Sequence, residues 1–203
     1  LRYYNSRGID LDKPMREIQS LSNRLDYGEN INEIMGIEGN IRKIYYSTWN
    51  DIIKQDINFE KRIKRPPNNM INTLISFVNS LIYTTVLSEI YKTQLNPTIS
   101  YLHEPSARRF SLCLDIAEIF KPLIGDRMIF SMLNKNQITK DDFESDSNFL
   151  YIKEPGKKKI LMEYDKRLDQ TIFHKDLGRD VSYRYLIRLE CYKLIKHIIG
   201  EKE

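Results

Sequence analysis

The sequence predicts an all-α protein that folds as a single multi-helix domain. Three observations support this prediction. Apolar residues recur three and four positions apart through most of the chain, as they do on one face of an α-helix. Proline and glycine punctuate these apolar runs at their ends. The 203 residues, 41% of them hydrophobic, are sufficient to build one sizeable core.

Three helices are predicted in the first half of the chain. The first covers roughly residues 13–25, with Pro14 in its first turn, and Gly28 interrupts the pattern after it. The second covers about 32–55. The third, about 69–93, is so rich in Ile, Leu, Phe and Val that we expect most of its surface to be buried.

The second half is predicted to contain four more helices, separated by Pro122 and by a polar connection over residues 134–148. Their approximate ranges are 106–120, 126–133, 161–174 and 182–199. One small β-hairpin is also predicted, in which residues 149–152 pair with 159–161 around the turn sequence Glu154-Pro155-Gly156-Lys157.

Composition places few limits on function. The net charge of +4 permits contact with nucleic acid without requiring it. Cys113 and Cys191 lie far apart in helix-like sequence, which predicts no disulfide framework and favours a reducing, cytoplasmic location. We expect no membrane span, because no run of about 18 apolar residues is evident. The chain begins at Leu1 rather than Met, so we expect it to be part of a longer protein.

The predicted helix that ends at Phe120 is apolar on nearly every side and has one polar sector. This sector consists of Arg108, Ser111, Asp115 and Glu118. A carboxylate in such a place needs a cation, since burying an unpaired charge costs several kcal/mol. The cation could be a metal ion or an arginine, such as Arg108 or Arg127 for Asp115, and the pattern favours neither.

Glu38 raises the same question on a different helix. It lies in the apolar stripe that we expect to face the core, formed by Ile31, Ile34, Ile41, Tyr45, Trp49 and Ile52. Gly36 and Gly39 flank it and leave room for close approach of backbone or ligand. The alternative to a metal ligand is an ion pair with Arg42, four residues further along the helix.

His103 lies just before the second carboxylate-bearing helix, in a connector that could fold back over the first turns of that helix. A lone histidine is more often a capping or core residue than a ligand. Together, however, Glu38 and His103 would form a ligand set with the carboxylates of Asp115 and Glu118 that suits Mg²⁺ or Mn²⁺. Such an ion polarises a phosphoryl oxygen and activates a hydroxyl or water, which is the chemistry of phosphodiester cleavage and transfer.

Several of these segments resemble the motifs of the CRISPR-associated integrase, the adaptation enzyme that inserts new spacers. Order, spacing and flanking residues agree across about 100 residues, and the closing helix is similar as well. The matching stretches are residues 36–46, Arg65-Pro66-Pro67 with Asn72, Leu74, Ser76 and Phe77, residues 96–105, and residues 109–122. The chain departs from the family pattern at residues 77–79 and at Ser106.

The resemblance implies that Glu38, His103 and Glu118 coordinate the metal, Mg²⁺ or Mn²⁺, and that Asp115 is an additional acidic residue near the catalytic site. It implies a DNA endonuclease and integrase that inserts spacer DNA into a CRISPR array by transesterification. The partners would be double-stranded and branched DNA and a small dimeric adaptation protein, in a prokaryotic cytoplasm. The full-length protein would be a homodimer, with an N-terminal β domain that is absent from residues 1–203.

Basic residues provide candidates for contact with the DNA backbone. One cluster consists of Lys61, Arg62, Lys64 and Arg65, and from the wider set we single out Arg65, Arg108, Arg184 and Arg188. Each could instead belong to a solvated charged face. Two other functions remain open: a structure-selective DNA nuclease that acts by hydrolysis, and a non-catalytic helical nucleic-acid-binding module.

Overall fold

The computed structural model describes residues 1–28, 30–64, 66–102, 110–146 and 149–201. Helices dominate this part of the chain, which confirms the predicted all-α class. The helices are α1 (Arg2–Asn5), α2 (Asp12–Ser22), α3 (Ile31–Ser47), α4 (Trp49–Ile52), α5 (Met70–Ile90), α6 (Ser111–Phe120), α7 (Arg127–Asn134), α8 (Glu154–Asp169) and α9 (Tyr183–Ile198). Four strands form two small hairpins: β1 (Phe143–Asp146) with β2 (Phe149–Ile152), and β3 (Thr171–His174) with β4 (Arg179–Ser182).

Helix α5 lies at the centre of the fold and packs against α6 and α9. Its start is fixed by Asn69, whose side-chain oxygen accepts a hydrogen bond of 2.8 Å from the backbone N–H of Asn72. By length and composition α5 could also cross a membrane, yet 56% of the apolar stretch is buried inside the protein. Packing within the core therefore accounts for its hydrophobicity.

The predicted helix over residues 32–55 is divided into α3 and α4 by Thr48. Trp49, at the start of α4, is fully buried and contacts the rings of Tyr46, Phe59 and Phe130. Phe59 is held in place by both its backbone groups, which exchange hydrogen bonds with the side chain of Asn50. These contacts turn the chain back along α3 before it enters α5.

Pro122 does not separate two helices as expected. The chain instead continues from α6 through a π-helical segment, Lys121–Asp126, directly into α7. Gly125 allows this wide turn to lie against α5, because a Cβ atom added there would be only 2.9 Å from Cδ1 of Ile82 and 3.1 Å from Cγ1 of Val78.

The hairpin predicted between residues 149–152 and 159–161 is wrong, although residues 149–152 do form a strand of a different hairpin. Strand β2 pairs with β1, which precedes it, in the register Phe143↔Ile152. Residues 159–161 lie instead in α8, which begins at Glu154 and carries Pro155 in its first turn, where proline favours a helix. The hairpin formed by β3 and β4 was not predicted, and its first strand replaces the end of the helix expected over 161–174.

A buried charge cluster joins α5 to α9. Glu89 has no exposed surface, and its two oxygens are bound separately, Oε1 by Lys92 at 2.6 Å and Oε2 by Nε of Arg188 at 2.7 Å. The predicted closing helix is confirmed as α9, which Ser182 caps by accepting a hydrogen bond from the N–H of Tyr185. Cys113 and Cys191 are buried and unpaired, so no disulfide links them.

Candidate active site at the Glu38–Glu118 cluster

A cavity of about 800 Å³ lies between α2, α3 and the junction of α6 with the π segment. Helix α2 has no buried residue and provides one wall, through residues such as Met15 and Ile18. Glu38 and Glu118 line the opposite side together with Asp126. The two carboxylates singled out from the sequence on separate helices thus line one open space.

A single arginine joins the two carboxylates. Nη2 of Arg42 contacts both Oε1 of Glu38 and Oε2 of Glu118, and Nζ of Lys121 contacts the remaining oxygen of Glu118. Glu38 and Arg42 are one helical turn apart on α3, as are Glu118 and Lys121 at the end of α6. The ion pair between Glu38 and Arg42 that the sequence left open is therefore present.

These cations keep Glu118 ionised. Burial alone would raise the pKa of the Glu118 carboxyl, but Lys121 and Arg42 outweigh that effect and hold the pKa below its ordinary value. Burial would likewise lower the pKa of the Arg42 guanidinium, yet the hydrogen bond and charge of Glu118, with the charge of Glu38, raise it. Both shifts favour the charged forms, so Glu118 and Arg42 are ionised at neutral pH.

The donor set is of a kind that suits a divalent cation. Nη2 of Arg42 contacts one oxygen of Glu38 and one oxygen of Glu118. The two carboxylates therefore share one position that a positively charged group occupies. Carboxylate oxygens are the ligands that Mg²⁺ and Mn²⁺ prefer. Among the described residues no group of three His, Cys, Asp or Glu side chains comes together. The third predicted ligand, His103, lies outside the described residues.

Asp115 anchors the segment that precedes His103 in the sequence. Its Oδ2 accepts hydrogen bonds from the backbone N–H groups of Tyr101, at 2.8 Å, and Leu102, at 3.1 Å. Ser111 adds a hydrogen bond of 2.8 Å to the carbonyl of Thr98. The described part of the connector, residues 98–102, therefore lies along the first turns of α6.

Asp126 is a site residue that the sequence did not reveal. It is only 4% exposed, lines the cavity, and accepts a hydrogen bond of 3.0 Å from the hydroxyl of Tyr45. Burial raises the pKa of Asp126 to about 7, although the Tyr45 hydroxyl and the charges of Arg42 and Lys121 act in the opposite direction. The sequence signal that could have identified Asp126 is the position of an acidic residue between the apolar runs 123–124 and 128–130.

Two details of the sequence reasoning about the helices were wrong. The apolar stripe of α3 is not uniformly core-facing: Ile31 is 49% exposed, whereas Trp49, beyond the end of the helix, is fully buried. Helix α6 is not buried all round, because Ile119 is 53% exposed. A Cβ atom added at Gly36 or Gly39 would meet nothing within 4 Å, so no described group approaches them closely.

The four arginines predicted to contact DNA differ in whether the structure describes them and in what they contact. Arg65 and Arg108 lie outside the described residues. Arg184 is partly exposed, with 39% of its side chain accessible, and makes a long ion pair of 3.5 Å with Asp165. Arg188 is turned inward onto the buried carboxylate of Glu89, so its charge is already used within the protein.

With this geometry in place, similarity to known proteins identifies the family. A family model described as "CRISPR associated protein Cas1" matches residues 1–166. The chain belongs to this family. The CRISPR-associated endonuclease Cas1 of Fusobacterium nucleatum subsp. nucleatum is 64% identical over all 203 residues. The chain spans 60% of that relative's length, so it corresponds to about three fifths of a Cas1 protein.

Solved structures show the same fold. A CAS1 protein from Thermotoga maritima is similar with a TM-score of 0.86 and 43% identity, over 95% of this chain and 61% of that one. A casposase bound to an integration product has a TM-score of 0.85 and 25% identity, over 96% of this chain and 56% of its own. A chain of a partial Cas6-RT-Cas1–Cas2 complex shares the fold, with a TM-score of 0.84 and 19% identity, over 95% of this chain and 57% of its own.

Proposed function

We propose that the protein to which this chain belongs is a metal-dependent DNA endonuclease and integrase, which inserts spacer DNA into a CRISPR array by phosphodiester transesterification. The observation that carries this proposal is the pair of carboxylates, Glu38 and Glu118, that converge from α3 and α6 on one cation at the edge of an open cavity. Membership of the Cas1 family supports the nuclease and integrase chemistry.

In this proposal Glu38, Glu118 and His103 hold one Mg²⁺ or Mn²⁺ ion. The ion would supply electrostatic stabilisation of the charge that develops on the attacked phosphate. Lys121 and Arg42 keep Glu118 ionised and therefore able to act as a ligand. Asp115 holds Tyr101 and Leu102 against α6, which ties the chain leading to His103 to the helix that carries Glu118.

The substrate would be the 3′-hydroxyl end of incoming double-stranded DNA, together with the target strand at the border of a repeat, which gives branched DNA as product. The similar casposase was solved with an integration product, and a more distant structural neighbour belongs to a complex with Cas2. These structures support a partner of the Cas2 kind, which we propose to be small and dimeric, and from the family resemblance we propose a homodimeric full-length protein in the prokaryotic cytoplasm.

Loss of a metal ligand provides the direct test, in the full-length protein because the chain spans only part of its relatives. Glu38→Ala and His103→Ala are expected to abolish Mn²⁺-dependent strand joining while far-ultraviolet circular dichroism shows unchanged helicity. The matched control is Glu190→Ala, which removes a similarly part-exposed glutamate paired with a lysine on α9. Full activity of either site variant would contradict the assignment.

The same preparations separate the alternatives. A nuclease that acts by hydrolysis would cleave branched DNA in the presence of Mn²⁺ without forming joined strands. A non-catalytic module would keep Arg42 between Glu38 and Glu118 and bind no ion. Crystals soaked in Mn²⁺ should show anomalous density between the two carboxylates, and its absence at saturating Mn²⁺ would favour the module.

A further inference from the structure

Polar links at two places connect α3 to the part of the chain that carries Glu118. The first is the contact between Arg42 and Glu118. The second lies one turn further along α3, where the hydroxyl of Tyr45 donates a hydrogen bond of 3.0 Å to Oδ2 of Asp126, at the end of the π segment. Glu38 precedes Tyr45 by about two helical turns, so both side chains leave the same face of α3.

Helix α3 has little apolar anchorage of its own. Among its described residues only Ile37 is buried, and the helix packs mainly against α2, which has no buried residue. Towards the end of α3, the ring of Tyr45 packs edge-on against the buried Trp49, with ring centroids 6.0 Å apart. An element with few buried apolar contacts is easily displaced. The position of Glu38 should therefore depend on the polar links.

Asp126 is held in place by the packing of its neighbours. Ile124 has no exposed surface, and Gly125 lies so close to Ile82 of α5 that a Cβ atom there would be only 2.9 Å from Cδ1 of that residue. The carboxyl of Asp126 therefore has a fixed position beside the cavity that it lines. Through this carboxyl the hydrogen bond of Tyr45 ties α3 to the central helix of the fold.

Stability alone does not explain a carboxyl group at this position. Asp126 is only 4% exposed, and burial raises its pKa to about 7 by disfavouring the ionised form. A phenylalanine and a leucine of similar shape would fill the space of Tyr45 and Asp126 without burying a polar group. A hydrogen bond differs from such an apolar contact because it fixes both a distance and a direction. The pair is therefore suited to positioning.

We propose that the hydrogen bond between Tyr45 and Asp126 positions Glu38 opposite Glu118, and that Tyr45 and Asp126 are positioning residues of the candidate metal site. Neither contacts the ion in this proposal, which rests on the proposed function. Loss of the hydrogen bond would let α3 move relative to α6 and change the distance between the two carboxylates. Affinity for the metal should fall as a result.

The test measures the affinity of the full-length protein for Mn²⁺ in the absence of DNA, by electron paramagnetic resonance of the unbound ion. Tyr45→Phe and Asp126→Leu should each weaken binding about threefold to tenfold, less than the roughly tenfold to hundredfold typical of a residue bonded directly to a metal ligand. Asp126→Asn can still accept the hydrogen bond. At pH 6, where a carboxyl with a pKa of about 7 is mostly protonated, this variant should bind Mn²⁺ like the wild type.

The double variant Tyr45→Phe/Asp126→Leu separates a positioning role from a purely structural one. Its melting temperature should be at least that of the wild type, because neither partner is left buried without the other. It should nevertheless bind Mn²⁺ no better than Tyr45→Phe, since both changes remove the same link. Recovery of wild-type affinity in the double variant would overturn the inference. So would wild-type affinity of Tyr45→Phe, or equal losses for Asp126→Asn and Asp126→Leu.

Tyr164→Phe is the matched control. The hydroxyl of Tyr164 is 2.8 Å from Oγ1 of Thr85 and joins α8 to α5, and neither residue is among the described residues that line the cavity. This variant should lower the melting temperature and leave the Mn²⁺ affinity unchanged. An affinity loss equal to that of Tyr45→Phe would indicate general loosening and contradict the inference. If the wild type binds no Mn²⁺, the proposed function itself fails, which is a different result.

Discussion

Two clusters in this protein have nearly the same chemical composition and opposite surroundings. Glu89 is held by one lysine and one arginine in the core, with each of its oxygens bound by a different cation. Glu118 is also held by one lysine and one arginine, but the arginine is shared with Glu38 and the group lines a cavity of about 800 Å³. The first cluster is closed and complete, whereas the second is open and its carboxylates can accept another cation.

The comparison shows that a carboxylate on an apolar helix can belong either to a structural ion pair or to a functional site, and that the sequence pattern does not distinguish the two. A buried carboxylate must be compensated in either case. What distinguishes a structural pair from a candidate site is access to solvent and the sharing of one cation by two carboxylates. Substitutions in the Glu89 cluster should therefore lower the stability of the protein without affecting metal binding. Substitutions in the cluster of Glu38 and Glu118 should weaken metal binding and change stability less.

The largest expected difference is in stability. Glu89→Gln leaves Lys92 and Arg188 without their shared counter-charge, and because both cations remain partly exposed to solvent we expect a loss of about 1.5–3 kcal/mol in the free energy of unfolding. Glu38→Gln removes only the charge of a side chain that is 36% exposed, so its effect should remain within about 1 kcal/mol. Urea denaturation followed by circular dichroism measures both, and equal losses would remove the distinction between the clusters.

Asp126 combines features of the two clusters, because it is buried like Glu89 but lines the cavity like Glu118. The expected effect of changing it is therefore intermediate. Its pKa of about 7 in the folded protein lies above the ordinary 3.8, so the folded state retains a proton that the unfolded state has lost. The contribution of Asp126 to stability must therefore fall as the pH rises from about 4 to about 7. Above that range the cost of ionisation is fully present.

Asp126→Asn removes this cost and can still accept the hydrogen bond from Tyr45. Relative to the wild type, the variant should gain up to a few kcal/mol at pH 8 and close to nothing at pH 4. Thermal melting at both pH values measures the difference. A gain that does not depend on pH would show that Asp126 is not titrating in this range.

The smallest expected effect concerns Arg184, which we compare with Arg188 on the same helix. The pair between Arg184 and Asp165 is long and exposed, so Arg184→Ala should change the free energy of unfolding by less than about 0.5 kcal/mol. Any effect of this variant should appear in DNA affinity instead. Arg188→Ala should destabilise the protein without lowering the DNA affinity of the folded molecules, and the reverse pattern would exchange the two roles.

The sequence predicted the long helices well because their local signals agree. In α5 an apolar run follows an asparagine cap, and in α9 helical spacing follows a serine cap. The hairpins were harder to predict, since strands of four residues carry little periodic pattern and the turn-like sequence Glu154-Pro155-Gly156-Lys157 is the first turn of α8.

The candidate site was predicted only in part. Glu38 and Glu118 were found because they interrupt apolar patterns, but the same reasoning applied to α5 would also have selected Glu89, whose role is structural. Arg42 joins α3 to α6 because the fold brings these helices together. The spacing of residues along one helix cannot show such a contact. Asp126 was missed because the π segment shifts it away from the positions that regular helical spacing assigns to a shared face.

That π segment also sets the direction in which α7 faces. A π turn contains one residue more than an α turn, and residues 121–126 contribute this extra residue to an otherwise continuous helical path. If the same residues formed a regular α-helix, the extra residue would rotate α7 by about 100° relative to α6. The side chains of Met128, Phe130 and Leu133, now within the core, would then point elsewhere. The wide turn thus takes up one residue without rotating the helix that follows, so that the carboxylate of Glu118 and the core face of α7 are correctly oriented at once.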